Sequence, residues 1–377
     1  MSRYKILIVI ALVLFMTVPS GLAGLARAQG VPTLISAGVS GSGTVVIVDG
    51  LEPSDTVIFS LTGVTFPADN TVYEGWLISD DGNTKLSTGT LTVTADGSLS
   101  HTFTSPTGEN FIAKYDKVVI TVEPVPDSDP GPSDDVAFTH QIPASGMAHI
   151  RHLLISWPAG ADAGILTNLK DQIQAAITHS ALAKNSSTLD AVKLHMHHVI
   201  NIIEGEDGDN FDASFGNPGD GIGVVAHAQD RKHASFASNA TPGDAVIAEH
   251  SKVVETHGEN AENWSILARD QALSILDLDS LVGAQTLAGA VGAILQDARD
   301  GIDATGQGGA DQAYVEAQLM ATYTLPSPAV APAGPALPIT GDSAVPILAQ
   351  ISLAVALLLL LTGGFLLVRS RRSRSMA

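Results

Sequence analysis

Near residue 143 the sequence changes its apolar period, and no single layer type accommodates both halves. Before that point come short runs rich in Val, Ile, Thr and aromatics, at 44–48, 56–61, 72–79, 90–94, 98–104, 117–122 and 135–140. Turn signals such as Asp80-Asp81-Gly82-Asn83, Asp96-Gly97 and Pro130-Gly131-Pro132 separate them. β-Branched and aromatic side chains suit a pleated, half-buried surface, and Gly, Asn and Asp suit tight turns, so this spacing predicts an antiparallel sandwich. Beyond it, apolar residues recur at three and four positions and Ala and Leu rise, which is the period of amphipathic helices. Helices are predicted near 145–156, 162–183, 187–204, 220–238, 243–276 and 280–300, with the short connections of a bundle. The expected architecture is multidomain, with an all-β antiparallel sandwich over 33–142 followed by an all-α helical bundle over 145–305.

Local signals refine this outline. Ser187 followed by Asp190 reads as a capping box, Gly205 as a helix stop, and Thr241-Pro242-Gly243-Asp244 as the opening of the next helix. Tyr73 and Trp76 are read as packing residues of the sandwich, and His101 and His140 as isolated, solvated side chains.

Both ends carry address signals. Arg3 and Lys5 precede the apolar run Ile6 to Val18, and Ala26-Arg27-Ala28 offers an A-x-A cleavage pattern, so 1–28 reads as a secretory signal peptide. Residues 345–368 form an apolar stretch long enough to span a bilayer and contact membrane lipid, and the tail 369–377 with its four arginines stays on the cytoplasmic side. A Pro/Ala-rich stalk is expected over 324–336. Leu337-Pro338-Ile339-Thr340-Gly341, followed by that apolar stretch and basic tail, resembles the LPxTG signal of sortase substrates. The resemblance implies cutting after Thr340 and attachment to the cell envelope; an ordinary single-pass anchor is the alternative. Either way 29–336 is expected outside the cytoplasm, at the cell membrane or cell wall.

The first half also resembles a known family. "VYEGWLISDDGNTKLSTGTLTV" (72–93) and "DKVVITVEPVPDSDPGPSDDV" (116–136) are similar, in that order, to the C-terminal, extracytoplasmic domain of anti-sigma-K factors, the RskA family. This implies a β-sandwich located in the envelope and a non-catalytic sensing or interaction role with an envelope protein partner. Anti-sigma factors place a sigma-binding domain and a membrane helix before the sandwich. A signal peptide directly before it therefore favours an envelope module over direct sigma-factor inhibition, with a regulator of an anti-sigma/sigma pathway as an alternative.

The second half holds ten of the twelve histidines. His195 and His198, at i,i+3, flank the apolar stripe of Leu189, Val192, Met196, Val199 and Ile203 and can approach one ion together, whereas His197 points elsewhere. His149 and His152 repeat the i,i+3 spacing, His250 and His257 lie one heptad apart on a core-facing stripe, and His227 shares a face with Asp230. These seven residues, His197 excluded, are the candidate metal ligands; imidazoles projecting from several helices are how bundle metal and haem sites are built. Zinc, copper, nickel or iron suits imidazole nitrogen, and haem would be b-type because no C-x-x-C-H occurs. The alternative is structural or pH-responsive histidines. The acidic loop 204–221 offers Glu206, Asp207, Asp209 and Asp212 to calcium, but counting from Asp207 puts Asp212 where an EF-hand needs Gly and Pro218 where it needs Glu.

Several functions are disfavoured. The sequence has 39 acidic against 19 basic residues, and seven of the basic ones lie in the end segments 1–28 and 369–377, so nucleic acid is repelled. With no cysteine, disulfides, thiolate metal sites and cysteine nucleophiles are excluded. Glu-x-x-His, HExxH and G-x-S-x-G are absent, leaving a metal- or haem-dependent envelope enzyme or redox protein as the minority reading.

Overall fold

The computed structural model describes residues 38–325. The signal peptide, the residues from 326 onward read as stalk, the LPxTG-like motif, the apolar span at 345–368 and the basic tail lie outside the described residues. No helix among the described residues is long and apolar enough to cross a membrane.

The first part is a sandwich of two four-stranded antiparallel sheets. Its strands are β1 (Ser42–Val48), β2 (Thr56–Thr62), β3 (Thr71–Ile78), β4 (Lys85–Leu91), β5 (Leu99–Thr104), β6 (Lys117–Pro124) and β7 (Val136–Gln141), with one turn of helix, α1 (Phe111–Lys114), before β6. One sheet has the order β4-β3-β6-β7. The other is β5-β2-β1-β8, and its last strand, β8 (Tyr323–Leu325), comes from beyond the bundle. Val45, Ile47, Val57, Phe59, Tyr73, Leu77, Val118 and Ile120 alternate inward and are buried. On the opposite face of β3, Trp76 packs with Ile78 and with Val119, its direct partner on β6, in a separate cluster, while its indole N–H donates to Thr121 Oγ1 at 2.8 Å.

The helices are α2 (Ala144–Leu154), α3 (Ile165–Lys184), α4 (Leu189–Glu204), α5 (Val224–Gln229), α6 (His233–Ala240), α7 (Ala245–Leu276), α8 (Leu281–Asp300) and α9 (Ala310–Leu319). α3 and α8 approach closely because small residues face one another: Ser180 donates to the Ala288 carbonyl at 2.6 Å, and a Cβ on Gly292 would press on Ser180 Oγ. α4 starts at Leu189, two residues later than expected, and its cap is Thr188 rather than Ser187: Thr188 Oγ1 accepts the Ala191 N–H at 3.2 Å. It ends at Gly205, which has φ of +73° and lies against the Ile222 carbonyl, where a side chain would not fit.

Several expectations need correction. The single helix expected over 220–238 is α5 and α6 joined by a 3₁₀ turn at 230–232. Arg231 holds this break by donating to the Ala228 carbonyl at 2.8 Å while pairing with Glu262 at 2.5 Å. The bundle does not stop at 305, because α9 follows; nor does the stalk start at 324, because Thr324 is the middle of β8. The sandwich is therefore not closed by residues 33–142 alone, and one continuous apolar core runs from Val45 through both layers to Leu325. His140, expected to be solvated, accepts the Thr324 N–H on Nδ1 at 2.8 Å, and burial lowers its pKa.

Candidate metal centres

Two places in the helical part bring three imidazoles together, and both use one plan. A helix presents two histidines at i,i+3, which lie one above the other on its surface, and a neighbouring helix supplies the third. In the first trio α4 carries His195 and His198 and α3 supplies His179; in the second α2 carries His149 and His152 and α6 begins with His233. Among the described residues these are the two groupings of three or more potential metal-ligating side chains.

The facing atoms are the same in both. His179 Nδ1 lies 3.2 Å from Nδ1 of His195 and 3.2 Å from Nδ1 of His198. His233 Nδ1 lies 3.1 Å from Nδ1 of His149 and 3.1 Å from Nδ1 of His152. An imidazole nitrogen has one proton or one lone pair, directed in the ring plane. The central nitrogen of each trio therefore cannot complete two ordinary hydrogen bonds at once, whereas a single cation accepts all three lone pairs. Nitrogens about 2.0–2.1 Å from an ion and spaced as these are subtend about 100° at it, between tetrahedral and octahedral values.

The electrostatics favour neutral rings with lone pairs to give. Burial, with the neighbouring His198 and His195 adding to it, pushes His179 down to about 4. Burial, with His152 and His149, does the same to His233, again to about 4. His149, His152 and His195 are shifted down too, by burial first. His198 Nε2 stands 2.8 Å from the Phe215 carbonyl, which only accepts, so Nε2 carries the proton and Nδ1 is left free to ligate.

That carbonyl is itself held in place. Asn201, fully buried one turn after His198, donates from Nδ2 to the carbonyls of Asp212 and Gly216 at 2.9 and 2.7 Å and accepts the Asp212 N–H at 2.9 Å. His197 stacks on the Phe215 ring with centroids 3.6 Å apart, a loop contact rather than a ligand position. In the second trio Trp157 packs on His152 and His233 at 4.6 and 4.3 Å, and Phe236 on His149 and His233 at 5.5 and 5.3 Å. Trp157 Nε1 donates to Asp230 at 2.8 Å, which fixes the indole.

Of the seven sequence candidates, His195, His198, His149 and His152 are thus in the trios, but not in a common one. His250 and His257 join neither. His250 Nδ1 pairs with Glu316 of α9 at 2.6 Å, and His257 is packed against Gly308 just before that helix. His227 pairs with Asp220 at 2.6 Å rather than with Asp230. The acidic loop does not gather its carboxylates: Asp212 caps Ser214, and Glu204, rather than any of the expected four, binds Asn210 and Arg269. A haem needs its axial imidazoles on opposite faces of a macrocycle, and nitrogens this close leave no room for one between them. His179 and His233, the central ligands, were not singled out by spacing. Ser187 stands midway between His179 and His195, so a helical hairpin turning there brings them level, whereas nothing local points to His233.

Since protons compete weakly for His179 and His233 above a pKa of about 4, bound metal is expected to stay to about pH 5, below the range where ordinary imidazoles protonate. Acid titration of loaded protein with a chromophoric chelator in solution measures this; release centred near the ordinary imidazole value contradicts the burial argument.

Fold and site together define a β-sandwich joined through a shared core to a histidine-bearing helical bundle. Residues 6–136 match the family described as anti-sigma-K factor rskA, C-terminal. The match starts inside the N-terminal apolar run and ends at the first residue of β7, so the last strands and the whole bundle lie beyond it. That family is named for anti-sigma regulation. No curated protein and no solved structure matches the chain significantly.

Proposed function

We propose that this chain is an exported, non-catalytic envelope protein in which an RskA-type sandwich is joined to a bundle that binds transition-metal ions at two three-histidine sites. The observation that carries the reading is the convergence of three imidazole Nδ1 atoms, twice, on one plan, with the central rings of His179 and His233 held neutral by burial. The envelope location rests on the signal-peptide and anchor patterns at the two ends, with membrane lipid and a sortase as the implied partners. An acidic, cysteine-free chain supports metal binding through imidazole, since no thiolate competes for such ions.

α2 gives metal binding a route to the sandwich. Its His149 and His152 belong to the second trio, while Arg151 between them donates to the Ile112 carbonyl at 2.8 Å and faces Asp116, at the base of β6. An ion bound at the trio would fix α2 and so the sandwich surface offered to an envelope partner. The family match favours a second reading, in which that partner belongs to an anti-sigma pathway; co-purification of an anti-sigma or sigma factor with the chain would support it.

The test is elemental analysis of the detergent-solubilised full chain, purified without a polyhistidine tag or chelating resin and reconstituted with zinc or copper. About two ions per chain are expected, one after His179→Ala or His233→Ala, and none in the double variant. No retained metal in the wild-type chain would sink the proposal.

A further inference from the structure

The two trios share ligands but not surroundings. In the first, the ring contacts of the three imidazoles among the described residues are with one another, and all three are half-buried. Solvent can thus supply further ligands to an ion there, which suits four-coordinate zinc.

In the second trio every imidazole has an aromatic neighbour: Trp157 against His152 and His233, Phe236 against His149 and His233. His233 is buried, and Asp230, the nearby carboxylate, is engaged by the Trp157 N–H and by Lys232 at 3.0 Å. The donor set is therefore three neutral nitrogens, with the Trp157 indole packed against His152 and His233 and the Phe236 ring against His149 and His233, so fewer directions are left open to water than at the first trio. A divalent ion among these rings would give up more of its hydration than at the first trio, which is costly. A singly charged, filled-shell ion that accepts three ligands pays less.

We propose, building on the metal-binding reading above, that the His149–His152–His233 trio is a three-coordinate copper(I) site screened by Trp157 and Phe236, whereas the His179–His195–His198 trio takes hydrated divalent ions. Trp157 acts as a positioning residue that limits the coordination number and is not itself a ligand.

The experiment uses the full chain carrying His179→Ala, which leaves the second trio, and the full chain carrying His233→Ala, which leaves the first. Each is titrated anaerobically with copper(I) against bicinchoninate, and separately with zinc(II). The His179→Ala chain is expected to hold one copper(I) per chain, with a three-coordinate K-edge spectrum and a change in tryptophan emission that Trp157→Phe removes. Its zinc affinity is expected to be about 100-fold below that of the His233→Ala chain. Trp157→Leu should weaken copper(I) by about 10–100-fold and let zinc bind better. Zinc bound equally well at both trios, or a four-coordinate copper spectrum, overturns the copper(I) assignment while leaving metal binding intact. No metal of either kind at the second trio overturns both.

Discussion

Replacing Arg151 with methionine is expected to destabilise the fold by about 2–3 kcal/mol near pH 8, the cost of leaving a buried carboxylate to protonate or to stay charged without its partner. Asp116 is fully buried, neither carboxylate oxygen has a hydrogen-bond donor, and the Arg151 guanidinium stands 4.0 Å away. Burial, opposed by Arg151, raises the Asp116 pKa from 3.8 to about 6. A carboxyl whose folded pKa is raised favours the folded state when protonated. Its contribution is fully present below the unfolded value and is lost as pH rises through the folded one. The effect of Arg151→Met should therefore shrink as pH falls below about 6, and Asp116→Asn should recover much of it at high pH. Urea unfolding of the four combinations at several pH values reads both effects. A pH-independent loss would show that Arg151 acts through the carbonyls of Ile112 and Tyr115, to which it also donates, and not through charge.

Asn201→Ala is expected to weaken metal at the His179–His195–His198 trio by about 10–100-fold, the usual cost of losing a group that orients a ligand. Asn201 touches none of the three rings. It holds residues 212–216, whose Phe215 carbonyl receives the His198 Nε2 proton and fixes the tautomer. Binding at the His149–His152–His233 trio should be unchanged, which gives an internal control. Stability should also drop by about 1–3 kcal/mol, because buried backbone groups lose their partners. Competition titrations in the His233→Ala background, with and without Asn201→Ala, measure the ratio; equal affinities would mean that the His198 tautomer is set by something else.

The histidine reading shows where local pattern suffices. Pairs at i,i+3 on one helix, His195 with His198 and His149 with His152, follow from helical geometry and were legible as two-ligand units. The third ligand of each trio comes from another helix, and helix pairing is not written in either helix alone. The same limit explains His250 and His257. Their heptad spacing does place them on one face of α7, but that face is covered by α9 and the Gly308 turn. α9 escaped notice because its buried residues, Ala310, Ala313, Tyr314, Ala317 and Gln318, are small or polar and give a weak apolar period. Its polar groups find partners only across the core: Tyr314 Oη donates to Asp49 at 3.2 Å, and Gln318 donates to Ser54 Oγ at 3.1 Å and to Asp49.

The sequence by itself determined the order of layers, the strands from β1 to β7 and most helices from α2 to α8, since period and turn chemistry are local and act before any long-range contact forms. It also determined that no metal site would be built from thiolate, there being no cysteine, and that imidazole is the plentiful ligand of the second half. Only the tertiary structure decided which histidines meet, that β8 returns from beyond the bundle to pair with β1, and that the two halves share one core. Those outcomes depend on contacts between residues 81 to 84 positions apart for His233 with His152 and His149, and farther still for β8 with β1. Such contacts are selected by the burial of apolar surface over the whole chain, a sum that no local window contains.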